Sequence, residues 1–242
     1  MSFLLRAQGV SKSFRGLRAV VNASFEVEEG AIVALIGPNG AGKTTIFNMV
    51  AGALRPDDGE ILFAGKPIGG LRPDQVCALG IGRTFQIVKP FAGLSVLDNV
   101  IVGALRCCAR VDEARAFAST IIDTLGLGSK RDFPVSSLTL PDRKKLEIAR
   151  ALATRPKLLL LDEVMAGLRP VECDQFIAFL QEINQRDGVT ILLIEHVMRA
   201  VMALAHKVIV LHHGEMIAQG SPAQVILDPA VLACYLGEET LL

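Results

Sequence analysis

One nine-residue run, Gly37-Pro38-Asn39-Gly40-Ala41-Gly42-Lys43-Thr44-Thr45, carries the residue types and spacing of a phosphate cradle. Its glycines free the backbone to curl tightly, so that successive N–H groups face one anion, and a helix opening there adds the positive end of its dipole. Lys43 brings a point charge for β- and γ-phosphates, and the Thr44 hydroxyl can ligate a magnesium ion. Further along, Leu158-Leu159-Leu160-Leu161 runs into two carboxylates, Asp162 and Glu163. At the C-terminal end of a parallel strand, where open α/β sheets bind ligands, Asp162 fits a magnesium shell and Glu163 a base for an attacking water. The chemistry these two segments could support is hydrolysis of a nucleoside triphosphate.

Such groups need a sheet to hold them. Residues 31–36 form a continuous apolar run with buried-strand character directly before the glycine loop, and a helix is expected from the loop to about residue 53. Strands are expected again at 157–161, 189–195 and 208–211, with a helix at 171–186 that lines up Phe176, Leu180 and Ile183 and stops near Gly188. This alternation predicts a parallel sheet with crossover helices, and puts the acidic strand next to the one feeding the glycine loop. The N-terminal part reads as β-rich, with a strand at 20–27, turns at 29–30, 56–59 and 64–65, and short strands at 60–63 and 81–86. From 95 to 154 the pattern is helical: Ser95 and Asp98 form a capping box before a helix at 96–105, and two more follow at 111–125 and 143–154. In the last of these Leu146, Ala149 and Leu152 share a side. A hairpin turn is expected at 212–215 and a helix start at Ser221-Pro222.

Composition narrows the class. The chain has 242 residues, 51% of them hydrophobic, so it can bury a core and is no disordered polyelectrolyte. No apolar run approaches the roughly 20 residues of a membrane span, and no secretory leader is visible. Lys plus Arg and Asp plus Glu balance at 25 each, which removes the basic face expected of a nucleic-acid partner. Five cysteines cannot all pair; they read as reduced thiols, and neither Cys107-Cys108 nor His212-His213 has companions at metal-ligand spacing.

In order, and over nearly the whole chain, these segments resemble the ATP-binding subunits of ABC transporters. That resemblance implies an α/β fold: a P-loop NTPase (RecA-like) core with an N-terminal antiparallel β region and an inserted helical subdomain. It implies a single domain, 1–242, with the core in 1–90 and 155–242 and the helical part in 91–154. By the same likeness Gln86, in Gly82-Arg83-Thr84-Phe85-Gln86, matches the glutamine that contacts Mg²⁺ and links the site to the membrane subunits. His196 matches the histidine that touches the γ-phosphate, and Phe14 the aromatic that stacks on adenine, with a core phenylalanine as the alternative. The implied cofactors are ATP, cradled by residues 37–45 with Phe14, and Mg²⁺, held by Thr44, Gln86 and Asp162; Lys43, Gln86, Glu163 and His196 act in hydrolysis.

Several stretches are similar to the branched-chain amino acid importer group: Leu94-Ser95-Val96-Leu97-Asp98-Asn99-Val100, Ile194-Glu195-His196-Val197-Met198, and Tyr235-Leu236-Gly237-Glu238. The expected partners are a second ATP-binding subunit (homo- or heterodimer), two membrane permease subunits in a groove between Gln86 and the helical insert that includes residues 88–99, and, indirectly, a periplasmic solute-binding protein. The expected location is peripheral, on the cytoplasmic face of the inner membrane. Lipopolysaccharide-export ATPases share many of these features, and an ATP-dependent dimerisation switch with little turnover is a third reading.

Three positions depart from the family. Its signature loop, L-S-G-G-Q, aligns with Leu138-Thr139-Leu140-Pro141-Asp142. Pro141 has no N–H to offer a phosphate. Either the site completed by this loop is weakened, which predicts functional asymmetry in a heterodimer, or a shifted loop presents another N–H. Val164 replaces a proline, and Arg169 stands where an aspartate or asparagine is usual.

Overall fold

The computed structural model describes residues 3–85 and 90–239. In chain order these form β1 (Phe3–Phe14), β2 (Leu17–Glu28), β3 (Ile32–Ile36), α1 (Lys43–Val50), β4 (Asp58–Phe63), β5 (Lys66–Pro67), α2 (Pro73–Leu79), β6 (Ile81–Arg83), α3 (Val96–Ala104), α4 (Val111–Thr124) and α5 (Leu140–Leu152). Then come β7 (Leu158–Asp162), α6 (Pro170–Asp187), β8 (Thr190–Ile194), α7 (Met198–Leu204), β9 (Lys207–His212), β10 (Glu215–Gly220), α8 (Pro222–Val225) and α9 (Pro229–Glu239).

Two sheets result. The first, β2–β1–β4–β5, is antiparallel throughout. The second runs β10–β9–β3–β8–β7–β6, parallel except for β10. Its order corrects the expectation that β7 lies beside β3, because β8 is inserted between them. Register keeps the three strand ends level: Leu35 pairs with Ile194, and Ile194 with Asp162.

The leucine runs are explained by burial of both sheet faces. Period-two alternation sends Val33, Leu35, Leu158, Leu160, Leu192 and Ile194 into one core shared with α1 and the antiparallel sheet. Ile32, Ala34, Leu159, Leu161, Ile191 and Leu193 enter a second core under α6 and α7. Asp162 continues the first set and Glu195 the second, so the two acids leave their strands on opposite faces of the sheet. A third core is built by α3, α4 and α5 around Val100, Ile122 and Leu146.

Helix α5 begins three residues earlier than the sequence predicts. The Thr139 hydroxyl caps it by accepting from the Asp142 N–H, and Pro141 fits the first turn, where a missing N–H costs no helical bond. The helix spans two cores: Leu146 and Ala149 join the third, Ile148 and Ala151 the second, and Leu152 leans on the second instead of sharing a face with Leu146. Strand β6 ends at Arg83, short of the predicted residue 86, and α1 stops at Val50.

At the crossing of α3 and α5 the backbones nearly touch: a Cβ on Gly103 would lie 2.6 Å from the Arg150 carbonyl oxygen. Gly103→Ala is therefore expected to destabilise the fold by about 1–3 kcal/mol through overpacking. A lowered midpoint in urea unfolding checks this, and an unchanged midpoint would show that α3 can shift freely.

Candidate nucleotide-binding site

The glycine loop leaves β3 by a turn open only to glycine. Gly37 sits at φ 144°, and a Cβ there would come 2.0 Å from the Leu211 carbonyl oxygen on β9. Gly42, at φ 101°, caps α1, and a Cβ there would come 2.3 Å from the Ala19 carbonyl oxygen on β2. The loop is thus held between two neighbouring strands, its amides set before any anion arrives. Lys43 is buried, and its Nζ donates to the carbonyls of Gly37 (2.6 Å) and Pro38 (2.8 Å). The ammonium lies folded under its own loop, where phosphate oxygens could replace those carbonyls as stronger, charged acceptors. Thr44 is exposed at the start of α1.

Asp162 closes the opposite side of the cleft. It is 3% exposed; Oδ2 lies 3.3 Å from Arg83 Nη2, while Oδ1 has no hydrogen-bond partner. Burial raises its carboxyl above the ordinary aspartate range, and Arg83 and Lys43 oppose that rise. A buried carboxylate oxygen left unpaired calls for a cation or an ordered water, which fits a magnesium shell completed by the Thr44 hydroxyl. Arg83 is anchored on Asn48 of α1 at 2.7 Å, and the Thr84 hydroxyl accepts from the Asp162 N–H.

Glu163 follows in a left-handed conformation, φ 50°, which costs a non-glycine residue on the order of 1 kcal/mol. Its Oε1 lies 3.0 Å from His196 Nε2. Strand β8 delivers His196 to that point, and the imidazole, 40% exposed, borders the cleft. The structure therefore brings together the glycine loop, Lys43, Asp162, Glu163 and His196 along the level ends of three strands. Phe14, 41% exposed at the end of β1, lies outside the core clusters, so the core alternative does not hold. Gln86 lies outside the described residues.

In the signature stretch, the Thr139 hydroxyl donates to Asp142 Oδ2 (2.7 Å), and Lys130 Nζ lies 2.5 Å from the same oxygen. Burial works against the Asp142 charge, but these two partners hold its carboxyl below the usual range. Pro141 has no N–H, and that of Asp142 is taken by Thr139. Arg169 pairs with Glu172 at the start of α6, and Val164 is buried in the second core.

Sequence reasoning assigned no role to Lys144, Glu147 or Glu195, all buried. Glu147 accepts from the Phe85 N–H at 2.7 Å, which fixes the chain just before residue 86. Glu195 accepts from the Met165 N–H at 2.9 Å. A charged residue ending an all-apolar strand was the one available signal for it.

Fold and site together define a P-loop nucleotide hydrolase of the cassette type. The ABC transporter family model matches residues 20–166, and a second, for branched-chain amino acid ATP-binding cassette transporters, matches residues 215–240. The chain belongs to the ABC transporter family as an ATP-hydrolysing cassette. It is 38% identical to the high-affinity branched-chain amino acid transport ATP-binding protein LivG of Salmonella typhimurium, covering 97% of this chain and 98% of that protein. It is 34% identical to the lipopolysaccharide export system ATP-binding protein LptB of Acidithiobacillus ferridurans, covering 99% of both. Among solved structures, the ADP conformation of an ABC transporter cassette matches with a TM-score of 0.89 at 30% identity, over 98% of this chain and all of that one.

Burial raises the Glu195 carboxyl from 4.5 to about 7. Between those values the folded protein keeps a proton that the unfolded chain has released, so this contribution to stability is complete below 4.5 and is lost as pH rises through 7. Glu195→Gln, which carries no titrating proton, is expected to gain stability relative to wild type between about pH 5 and pH 8, by up to ~3 kcal/mol. Urea unfolding at both pH values checks this; a pH-independent difference would count against a buried proton on Glu195.

Proposed function

We propose that this chain hydrolyses ATP to drive an importer for branched-chain amino acids or related small solutes, working through separate permease subunits from the cytoplasmic face of the membrane. The observation that carries the reading is the row of level strand ends. There a phosphate-binding loop and ammonium, an acid with a free oxygen, and a Glu163–His196 pair share one cleft. Among the described residues no helix is long and apolar enough to cross a membrane, in keeping with permeases on other chains. The solute class is supported by the LivG relative and by the match at residues 215–240. Full-length similarity to LptB makes lipopolysaccharide export the second reading.

In the proposed mechanism residues 37–45 wrap the phosphates with backbone amides, Lys43 turns from its loop carbonyls to the β- and γ-phosphates, and Phe14 stacks on the adenine. Thr44, Asp162 and Gln86 would hold Mg²⁺, which when bound neutralises phosphate charge. Glu163 accepts a proton from the attacking water, and His196 steadies both the Glu163 carboxylate and the γ-phosphate. Catalysis then comes mainly from positioning and charge neutralisation. The division into a core (1–90, 155–242) and a helical subdomain (91–154) is supported by the separate hydrophobic cluster of α3–α5. Between them lies a groove of about 350 Å³ bordered by the exposed rings of Phe85 and Phe91. That groove suits the permease; residues 86–89 of the expected docking segment lie outside the described residues.

Glu163→Gln is expected to cut the ATPase rate by about a hundredfold or more while ATP still binds, read by steady-state hydrolysis and nucleotide titration. Equal activity in wild type and variant would favour the dimerisation switch. For the signature loop, Pro141→Gly in the assembled transporter is expected to restore a donor worth about 3 kcal/mol, or roughly a hundredfold in rate, at the composite site this loop completes. An unchanged ATPase rate together with unchanged affinity at both sites removes the asymmetry idea.

A further inference from the structure

The strained backbone of Glu163 is clamped from three directions. Its N–H donates to the Ile194 carbonyl of β8 at 2.9 Å. Its own carbonyl accepts from Lys144 Nζ of α5 at 3.0 Å. Two residues on, the Met165 N–H donates to Glu195 Oε1 at 2.9 Å. Lys144 is 7% exposed and Glu195 1%, so neither charge serves solubility. Their hydrogen bonds meet on the 163–165 turn, where Cys173 Sγ of α6 lies 4.0 Å from the Met165 carbonyl oxygen. Buried polar side chains with satisfied hydrogen bonds rigidify the backbone they hold. Here they hold Glu163, a non-glycine residue at positive φ.

We propose that Lys144 and Glu195 are positioning residues: a buried brace that holds Glu163 left-handed, aims its carboxylate at His196 and the water, and ties that aim to the signature helix. Lys144 lies three residues after Pro141 on α5, about one helical turn along, so tilting of α5 moves the donor on the Glu163 carbonyl. Glu195 ties the strand that leads to His196 to the same turn. A shift of the helical subdomain thereby reaches the base for the water through one hydrogen bond, without contact to nucleotide. The inference rests on the reading of Glu163 as the hydrolytic carboxylate.

The test compares the full-length chain with its Lys144→Met, Lys144→Arg and Glu163→Gln variants, measuring kcat and KM for ATP and the affinity for a fluorescent ATP analogue. Lys144→Met is expected to lower kcat on the order of tenfold to a hundredfold while KM and analogue affinity stay within about twofold. Lys144→Arg, which keeps a donor, is expected to recover most of that rate. Should Lys144→Met alone fail to fold, Lys144→Met/Glu195→Gln leaves no unpaired buried charge and is expected to show the same low kcat. A wild-type kcat in Lys144→Met or the double variant, or a loss of affinity in step with kcat, overturns the brace. Equal rates for wild type and Glu163→Gln would overturn the reading of Glu163 and the brace with it. An inactive Glu163→Gln beside a fully active Lys144→Met overturns the brace alone.

Discussion

Close approach of backbone to backbone at the end of β3 is the constraint on which the remaining structure depends. Gly37 turns the chain against the Leu211 carbonyl with no room for a methyl group, and Gly42 does the same against Ala19. Both contacts exist only because β9 and β2 are already in place on either side. The phosphate cradle is therefore a product of tertiary packing as much as of local glycine content. Its amides are ordered by folding, so the ordering entropy is not charged to the ligand when it binds.

A cleft that must gather cations and carboxylates has to keep them from simply cancelling one another. Insertion of β8 between β3 and β7 answers that need. It spaces the glycine loop from the acidic pair by one strand while register keeps their ends level. Lys43 rests on loop carbonyls and Asp162 on Arg83, each in a state that a charged ligand can improve. Arg83, Asn48 and Thr84 form the scaffold of the acid, and the aromatic edge at Phe85 is pinned through Glu147. Nucleotide chemistry and the groove at the helical part thus meet at β6.

The departures in the signature stretch are structurally coherent. Thr139, Asp142 and Lys130 close a small network that satisfies the start of α5 internally. That network leaves few amides for an outside anion, and it puts a compensated carboxylate where a neutral amide is usual. Stability of the helix start and capacity to bind phosphate draw on the same N–H groups, and here the helix takes them.

The sequence by itself determined what period and local chemistry encode. Continuous apolar runs specified strands buried on both faces, Ser95 with Asp98 specified a helix start, and the glycine-lysine-threonine run specified an anion cradle ahead of a helix. Lys43, Asp162, Glu163 and His196 were legible because each follows an apolar strand. Tertiary structure alone decided which strand is whose neighbour, and so the placing of β8 between the two motifs. It also decided that Leu152 turns away from Leu146, since α5 is gripped by two cores and no single stripe describes it. Lys144 and Glu195 acquire meaning only once α5, β8 and the 163–165 turn converge, because a hydrogen bond between segments distant in the chain leaves no local pattern in either of them.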